Sequence, residues 1–577
     1  MTGRRLFLHA VPDDFDPEND LVLGPSCFVG SEHVWPEWDR QPYYDPLEDP
    51  DIQWQDWMRT RILANRMCRT MGNEFNLRHD TNYGNRYWRE LIVLWLLLLI
   101  QSAWLRYLQI NAAIDRWGDE PLTVPTAGQG TGWQFSDDLD FFHNGPKNPD
   151  YDLWICSLIL RSRTPQSWTL VPGRDVGYRA GKPPVRSRVS LKKRLVSLFI
   201  RRRAIYNLTD AGAAEWVLSL IVPFLPRRPQ TLPALVDKEA ESGSIAPFPD
   251  DFLELIDRLI VETMPATLTE SFADFDREAA ALPYKAGRLF VSGASKYGPR
   301  TRFMTAHALE EGERVMRYQH GAFYGSAHIM IGHEIEYYDN GFVSWGWRED
   351  DRFPGQATPL PSPSLARIAD LHECRADDIV FVGTNIELGP YPFKPSPQAR
   401  GFLDYRRRKI MLINALAPCA REKLKYRPYM NTGSDLEDLT YVERETGQIP
   451  EVKGNLDPAL FACELVIVDH PSSVMYRSFA ANVPTILTWD PKAWPTHARG
   501  RGELDRLEEA GIFVSDPIEA AEKINALDGK IAQWWSSDTV QAARQAWCAE
   551  NAIVSKNWFR TWVRSLATVH APRTQQG

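Results

Sequence analysis

Apolar residues in this chain occur in two arrangements. The longest run, Leu91–Ile100 (LIVLWLLLLI), continues past Gln101 and Ser102 to Leu105. A membrane-spanning helix needs about 20 consecutive apolar residues, roughly twice this run, so the pattern predicts a buried core helix. Elsewhere, short β-branched and aromatic runs alternate with helical spacing. Before residue 357 these are the segment from Leu6, Arg288–Ser292 (RLFVS), Val315–Tyr318 (VMRY) and Gly341–Trp345 (GFVSW), with a helical pattern over Phe252–Val261. After residue 370 they are Ile379–Val382 (IVFV), an Arg-rich helix, a strand near Lys425–Tyr429, Leu465–Val468 (LVIV), a helix through Ala481, and Pro484–Leu487 (PTIL).

Apolar strand, polar turn, helix and apolar strand in succession is the pattern of a parallel sheet covered on both faces. Between the two groups lies ATPLPSPSLARIAD (357–370), whose Pro and Ser-Pro features read as a linker. The expected fold class is α/β, with two Rossmann-like domains facing a cleft. Residues 1–355 would form an N-terminal domain with extra helices on the acceptor side, and 365–577 a C-terminal donor domain. Ligands of such sheets sit at the carboxyl ends of the strands.

Composition narrows the class. A chain of 577 residues exceeds one ordinary core, and 44% hydrophobic with 24% charged residues is ordinary for a soluble protein. Its 21 Trp and 42 Pro fit a heavily packed chain with rigid connections. A net charge of −9 argues against a nucleic-acid partner. Seven scattered Cys without a CxxC pair argue against a disulfide framework or a zinc site and fit a reducing cytoplasm. The opening MTGRRLFLHAVPDDFD reads as a first strand, not a secretory signal.

The candidate chemistry gathers at strand ends. In LVIVDHPSSVMYRSFAANVPTIL (465–487) an apolar strand ends at Asp469, and Ser472 and Ser473 open a helix. Hydroxyls beside the unpaired N–H groups of a helix N-terminus form an anion site, although such a pair can also serve only as a cap. Upstream, LKYRPY (424–429) carries Lys425 and Arg427, and guanidinium can bond two phosphate oxygens at once. Gly383 and Thr384 follow the IVFV strand, where the backbone could approach a ligand. In YQHGAFYG (318–325), Gln319, His320 and Gly321 follow a strand. A histidine at that place can take a proton from a hydroxyl near neutral pH, and Gly321 permits close ligand approach. Glu334 and Asp339 are reserve acids or bases.

The run Asp469, Ser472, Ser473, Val474, Met475, Phe479, Ala480 and Pro484 resembles the strand–serine pair–helix element of CDP-glycerol glycerophosphotransferases. It is also similar to the serine-pair motif of bacterial sialyl- and Kdo-type transferases. In those families the serines hold donor phosphate, and in the CDP-glycerol glycerophosphotransferases a His-Gly element like His320-Gly321 acts as base. This chain has Arg427-Pro428 where many members have His-Pro. Together with Asn85–Arg89, Ser344–Trp347 and Trp489–Pro491, these motifs resemble transferases of bacterial surface-carbohydrate synthesis. The resemblance implies a GT-B-like glycosyltransferase of the cytoplasm, taking a nucleotide-sugar donor and a glycan or lipid-linked acceptor. It implies no cofactor, and the serine pair favours a CMP- or CDP-linked donor. The alternatives are a CDP-polyol phosphotransferase and a non-catalytic carbohydrate-binding scaffold.

Two further stretches bear on partners. Asp137-Asp138-Leu139-Asp140 has the look of a Mg²⁺ motif but reads better as a solvated acidic loop, so no metal site is expected. Residues 179–203 hold ten Lys or Arg and no acid. With leucines at helical spacing, they could bring the protein to the inner membrane as a peripheral protein, or form a solvated helix face.

Overall fold

A computed structural model describes residues 4–31, 34, 35, 38, 46, 47, 49–181, 205, 206, 217, 218, 246–282, 284, 289–292, 298–337, 341–348, 357–384, 393, 397, 399–429 and 438–569. The long apolar run lies in helix α2 (Asn85–Trp117), and every residue of Leu91–Ile100 is buried. By length and composition α2 could cross a membrane, but its most apolar stretch is 94% buried inside the protein. The core-helix expectation therefore holds. Helix α1 (Pro50–His79) packs along it. Pro50 occupies its first turn, Asp49 caps it by accepting from Asp51 N, and Asp80 ends it in the left-handed conformation with φ 53°.

The strands are β1 (Arg4–Phe7), β2 (Leu21–Val22), β3 (Leu122–Thr126), β4 (Gly130–Gln134), β5 (Trp168–Pro172), β6 (Val176–Arg179), β7 (Ile205–Tyr206), β8 (Leu289–Ser292), β9 (Arg314–Tyr318), β10 (Phe342–Ser344), β11 (Thr358–Pro359), β12 (Ile379–Val382), β13 (Leu424–Arg427), β14 (Leu465–Val468) and β15 (Thr485–Leu487). Among the described residues they form sheets of order β2-β1-β3-β5, β11-β10-β9-β8-β7 and β13-β12-β14-β15, with β4 and β6 as a separate pair. All these pairings are parallel. The α/β fold is as expected. Strands β1–β11 fall in two parallel sheets and the separate β4–β6 pair.

The third sheet follows the sequence pattern most closely. Its strands alternate between two cores. Ile379, Phe381, Leu465, Ile467 and Ile486 face one cluster, with Leu412, Ile413 and Ile524 of the Ala399–Ala415 and Pro517–Ala526 helices. Val380, Val382, Val466, Val468 and Leu487 face the other, with Phe479 and Ala480 of the Ser473–Ala481 helix. A sheet buried on both faces needs apolar residues at every position, which is why these strands read as continuous runs.

The segment 357–370 is not a loose tether. Thr358–Pro359 pairs with β10, and Ser362 caps a short helix, Pro363–Ile368, by accepting from Leu365 N. Pro in the first helical turn starts that helix, so the Pro-rich composition here marks a helix N-terminus. The C-terminal helix Trp558–Val569 returns to this segment, where Trp562 Nε1 donates to Pro361 O at 2.8 Å.

Candidate functional site

The third sheet aligns its strand ends. Val382 pairs with Arg427 on one side and Val468 on the other, and Val468 pairs with Leu487. Gly383, Thr384, Arg427, Asp469 and Thr488 therefore share one carboxyl edge. Asp469 leads into the Ser473–Ala481 helix, where Ser472 is the N-cap with extended backbone and no side-chain capping bond. Ser472 Oγ is buried without a hydrogen-bond partner among the described residues, and Ser473 is exposed. An unpaired buried hydroxyl costs about 1–3 kcal/mol, and a bound anion would relieve that cost. Arg427 donates one guanidinium N–H to Val452 O at 2.6 Å. Lys425 points elsewhere, pairing with Asp378 at 2.6 Å.

Beneath this edge lies a buried polar network that the motifs did not reveal. Lys409 Nζ, from the Ala399–Ala415 helix, donates to both Asp438 oxygens at 2.9 Å and to Tyr426 OH at 2.6 Å. Tyr426 OH in turn donates to Asp438. Burial alone would push the Asp438 carboxyl up, but Lys409 and Arg406 hold it below the usual carboxylate range. Tyr405 OH accepts from Thr384 N and donates to Asp469 Oδ2, both at 2.9 Å, while Asp469 Oδ1 meets His470 Nδ1 at 2.8 Å. Thr384 and Asp469 are thus tied down by Tyr405. A Cβ on Gly383 would lie 2.1 Å from Tyr426 OH and 2.9 Å from Lys409 Nζ. Glycine here makes room for the network, a packing reason distinct from the ligand approach read from sequence. Beside the network is a cavity of about 300 Å³ lined by Tyr405, Arg408, Lys409, Asp469, Trp489 and Trp494 among others. Trp489 Nε1 is also buried without a hydrogen-bond partner among the described residues.

His320 stands at the end of β9 with 40% of its side chain exposed. Its Nδ1 is 3.0 Å from Tyr324 OH, which donates to Glu336 Oε2 at 2.7 Å. Gln319 braces the turn: Nε2 donates to Gly321 O, and Oε1 accepts from Trp345 N and Trp347 Nε1. No described residue lies within 4 Å of a Cβ built on Gly321. The loop crosses to the third sheet's helix, where Phe323 N meets Tyr476 OH at 3.3 Å. Ala327 bridges Thr496, and His328 N donates to Pro495 O. The histidine loop therefore touches the same helix whose start carries the serines.

Glu334 is placed differently. It is buried against Arg61 and Arg89, with Asn65 donating to Oε1 at 2.8 Å. Burial pushes its carboxyl up, yet the two guanidiniums outweigh this and leave it below the usual range. Those contacts tie Glu334 to Arg61, Asn65 and Arg89 of the first two helices, and no contact joins it to His320 among the described residues. Asp339 lies outside the described residues, as does the basic stretch beyond Gly181. The Asp137–Asp140 run is not a solvated loop. Asp137 caps a helix, Asp138 is buried against Arg302, and Asp140 accepts from Tyr178 OH at 2.7 Å. Burial lifts the Asp138 carboxyl to about 6 despite Arg302. Among the described residues no group of three or more His, Cys, Asp or Glu is placed to hold a metal ion.

Solved structures with some likeness to the chain include MurG of Acinetobacter baumannii, 12% identical over 52% of this chain and 77% of that one, with a TM-score of 0.31. WaaG, a glycosyltransferase involved in lipopolysaccharide biosynthesis, is 10% identical over 81% and 95%, with a TM-score of 0.23. The spinosyn forosaminyltransferase SpnP is 11% identical over 82% and 92%, also at 0.23. No curated protein sequence matches the chain. The sequence pattern of the LIC12162 family transferases matches residues 4–566. The chain accordingly belongs to the LIC12162 family of transferases.

Proposed function

We propose that this transferase is a GT-B-type glycosyltransferase moving a sugar from a nucleotide-sugar donor to a hydroxyl of a glycan or lipid-linked acceptor in bacterial surface-carbohydrate synthesis. The carrying observation is the meeting of two elements: a helix N-terminus with an unpaired buried hydroxyl, and a histidine loop packed on that same helix. Donor phosphate would sit on the N–H groups of the Ser473–Ala481 helix with Ser472, Ser473 and Arg427, where unpaired donors and the helix dipole favour negative charge. The nucleoside would reach toward the cavity, where Trp489 and Trp494 offer aromatic faces. Asp469, Gly383 and Thr384 shape this edge through Tyr405 and Lys409.

In the reaction, the acceptor hydroxyl gives its proton to His320 Nε2 as its oxygen bonds to the sugar carbon. The bond from that carbon to the donor phosphate oxygen breaks, and the nucleotide leaves with the electron pair. Charge growing on the leaving phosphate is met by donors already oriented toward it.

His320→Ala should lower turnover by about 10²–10⁴-fold while leaving donor affinity nearly intact. Nucleotide release from CMP-, CDP-, UDP- and GDP-linked sugars measures this in the presence of a lipid-linked acceptor. Wild-type turnover in the variant would place the base elsewhere. Release of CMP with transfer of a polyol phosphate would identify the phosphotransferase reaction instead.

A further inference from the structure

The hydrogen bonds around His320 determine where its proton sits. Tyr324 OH lies 3.0 Å from His320 Nδ1 and 2.7 Å from Glu336 Oε2, and Glu336 is fully buried. A phenol has one proton to donate, and a carboxylate has none. The Tyr324 proton therefore goes to Glu336, and the phenol oxygen must accept the Nδ1–H of His320. With the proton on Nδ1, Nε2 keeps its lone pair, on the side of the ring away from Tyr324.

We propose that Tyr324 and Glu336 are positioning residues that fix the His320 tautomer and steady the imidazolium formed when Nε2 takes the acceptor's proton. This rests on the reading of His320 as the base. The direct separation between His320 Nδ1 and Glu336 Oε1 is 3.9 Å, beyond a hydrogen bond, so the phenol is the link. The link is built into the fold. Tyr324 is buried, and its ring stacks on Phe342 with centroids 5.3 Å apart. Gly325 follows in the left-handed region at φ 70°, and a Cβ there would lie 2.5 Å from the Trp347 ring. That close approach seats the turn carrying Tyr324 against Trp347. Glu336 ends the short helix Ile331–Glu336, which sets its carboxylate behind the phenol. A carboxylate reaching a histidine through a hydroxyl performs the orienting task that a directly bonded acid performs in a hydrolase triad.

The direct test is ring-¹⁵N histidine NMR of the full chain near neutral pH, with His320→Gln used to assign the resonance. The expected signature is protonated Nδ1 and bare Nε2 in the wild type. In Tyr324→Phe, which keeps the ring and its packing, signal should move toward the Nε2–H form that free imidazole prefers. The same variant, and Glu336→Gln, should lose about 10–100-fold in kcat with donor KM little changed. Thermal melting of Tyr324→Phe serves as the folding control, so the test does not depend on Glu336→Gln being stable. An Nε2–H tautomer in the wild type would overturn the proposal, as would an unchanged tautomer and kcat in Tyr324→Phe. An unchanged tautomer and kcat in Tyr324→Phe would leave His320 as the base untouched, an Nε2–H wild type would also rule out proton transfer to Nε2, and full turnover in His320→Ala would remove the base reading itself.

Discussion

Gly383 shows how little freedom the carboxyl edge of the third sheet has. Alanine there would force its Cβ against Tyr426 OH and Lys409 Nζ, both held by Asp438. Gly383→Ala should destabilise by about 1–3 kcal/mol, the range for forcing extra atoms into a packed site. Denaturant unfolding checks this, and an unchanged midpoint and slope would show that the network yields. A glycine after a strand was legible in the sequence, but its reason was not. That reason is a lysine 26 residues later in an Arg-rich helix, and nothing in the local pattern distinguished buried Lys409 and Arg406 from exposed Arg407. The acids near the histidine loop teach the same lesson. Glu334 and Glu336 lie two apart on one short helix, so their side chains diverge by about 200°. One meets Arg61 and Arg89, the other Tyr324. Spacing alone could not tell which faced His320.

At the scale of elements, α2 is held to the histidine loop's neighbourhood by charge as well as by apolar packing. Arg89, near its start, pairs with Glu334 at 2.5 Å, and Glu90 accepts from Arg317 of β9 at 2.6 Å. Removing one partner of a buried pair strands the others, at about 3–5 kcal/mol. Glu334→Gln should therefore lose stability of that order near neutral pH. Because the folded pKa of Glu334 lies below its unfolded value, its contribution is full above about pH 4.3 and is lost as pH falls through the lower folded value. The gap between wild type and Glu334→Gln should then narrow as the pH drops below about 4. Urea unfolding at both pH values measures it, and an equal gap at both would contradict the ion-pair assignment. Single elements were readable where burial is one-sided or complete: the α2 run, IVFV and LVIV. The strand and helix within the Pro-rich 357–370 were not legible, because a proline that opens a helix and a proline that breaks one look alike without the contacts of the following turn.

For the whole molecule, the third sheet was legible because its strands and helices alternate within about 110 residues, from Ile379 to Leu487. In the N-terminal half β1, β8, β9, β10 and the Asp250–Thr263 helix were legible, but the sheet order was not, since β1 pairs with β3 across more than a hundred residues and β2, β7 and β11 are two residues each. Pairings that distant leave no local pattern. The basic stretch 179–203 carries a prediction on charge alone. Cations near an anionic leaflet are worth about 1 kcal/mol each, and salt screens them. The wild type should float with anionic vesicles at low salt, and a variant with Lys192, Lys193, Arg201 and Arg202 changed to Gln should not. A wild type that ignores such vesicles would favour a soluble acceptor. The donor site is the claim on which the proposed glycosyltransferase function turns, and calorimetric titration with cytidine, uridine and guanosine mono- and diphosphates tests it most directly. The expected result is that one of these binds the wild type and binds Ser472→Ala/Ser473→Ala more weakly by about 1–3 kcal/mol, roughly 5- to 150-fold in affinity. Equal affinity in the two proteins, or no nucleotide binding at all, would contradict a phosphate site at the start of the Ser473–Ala481 helix.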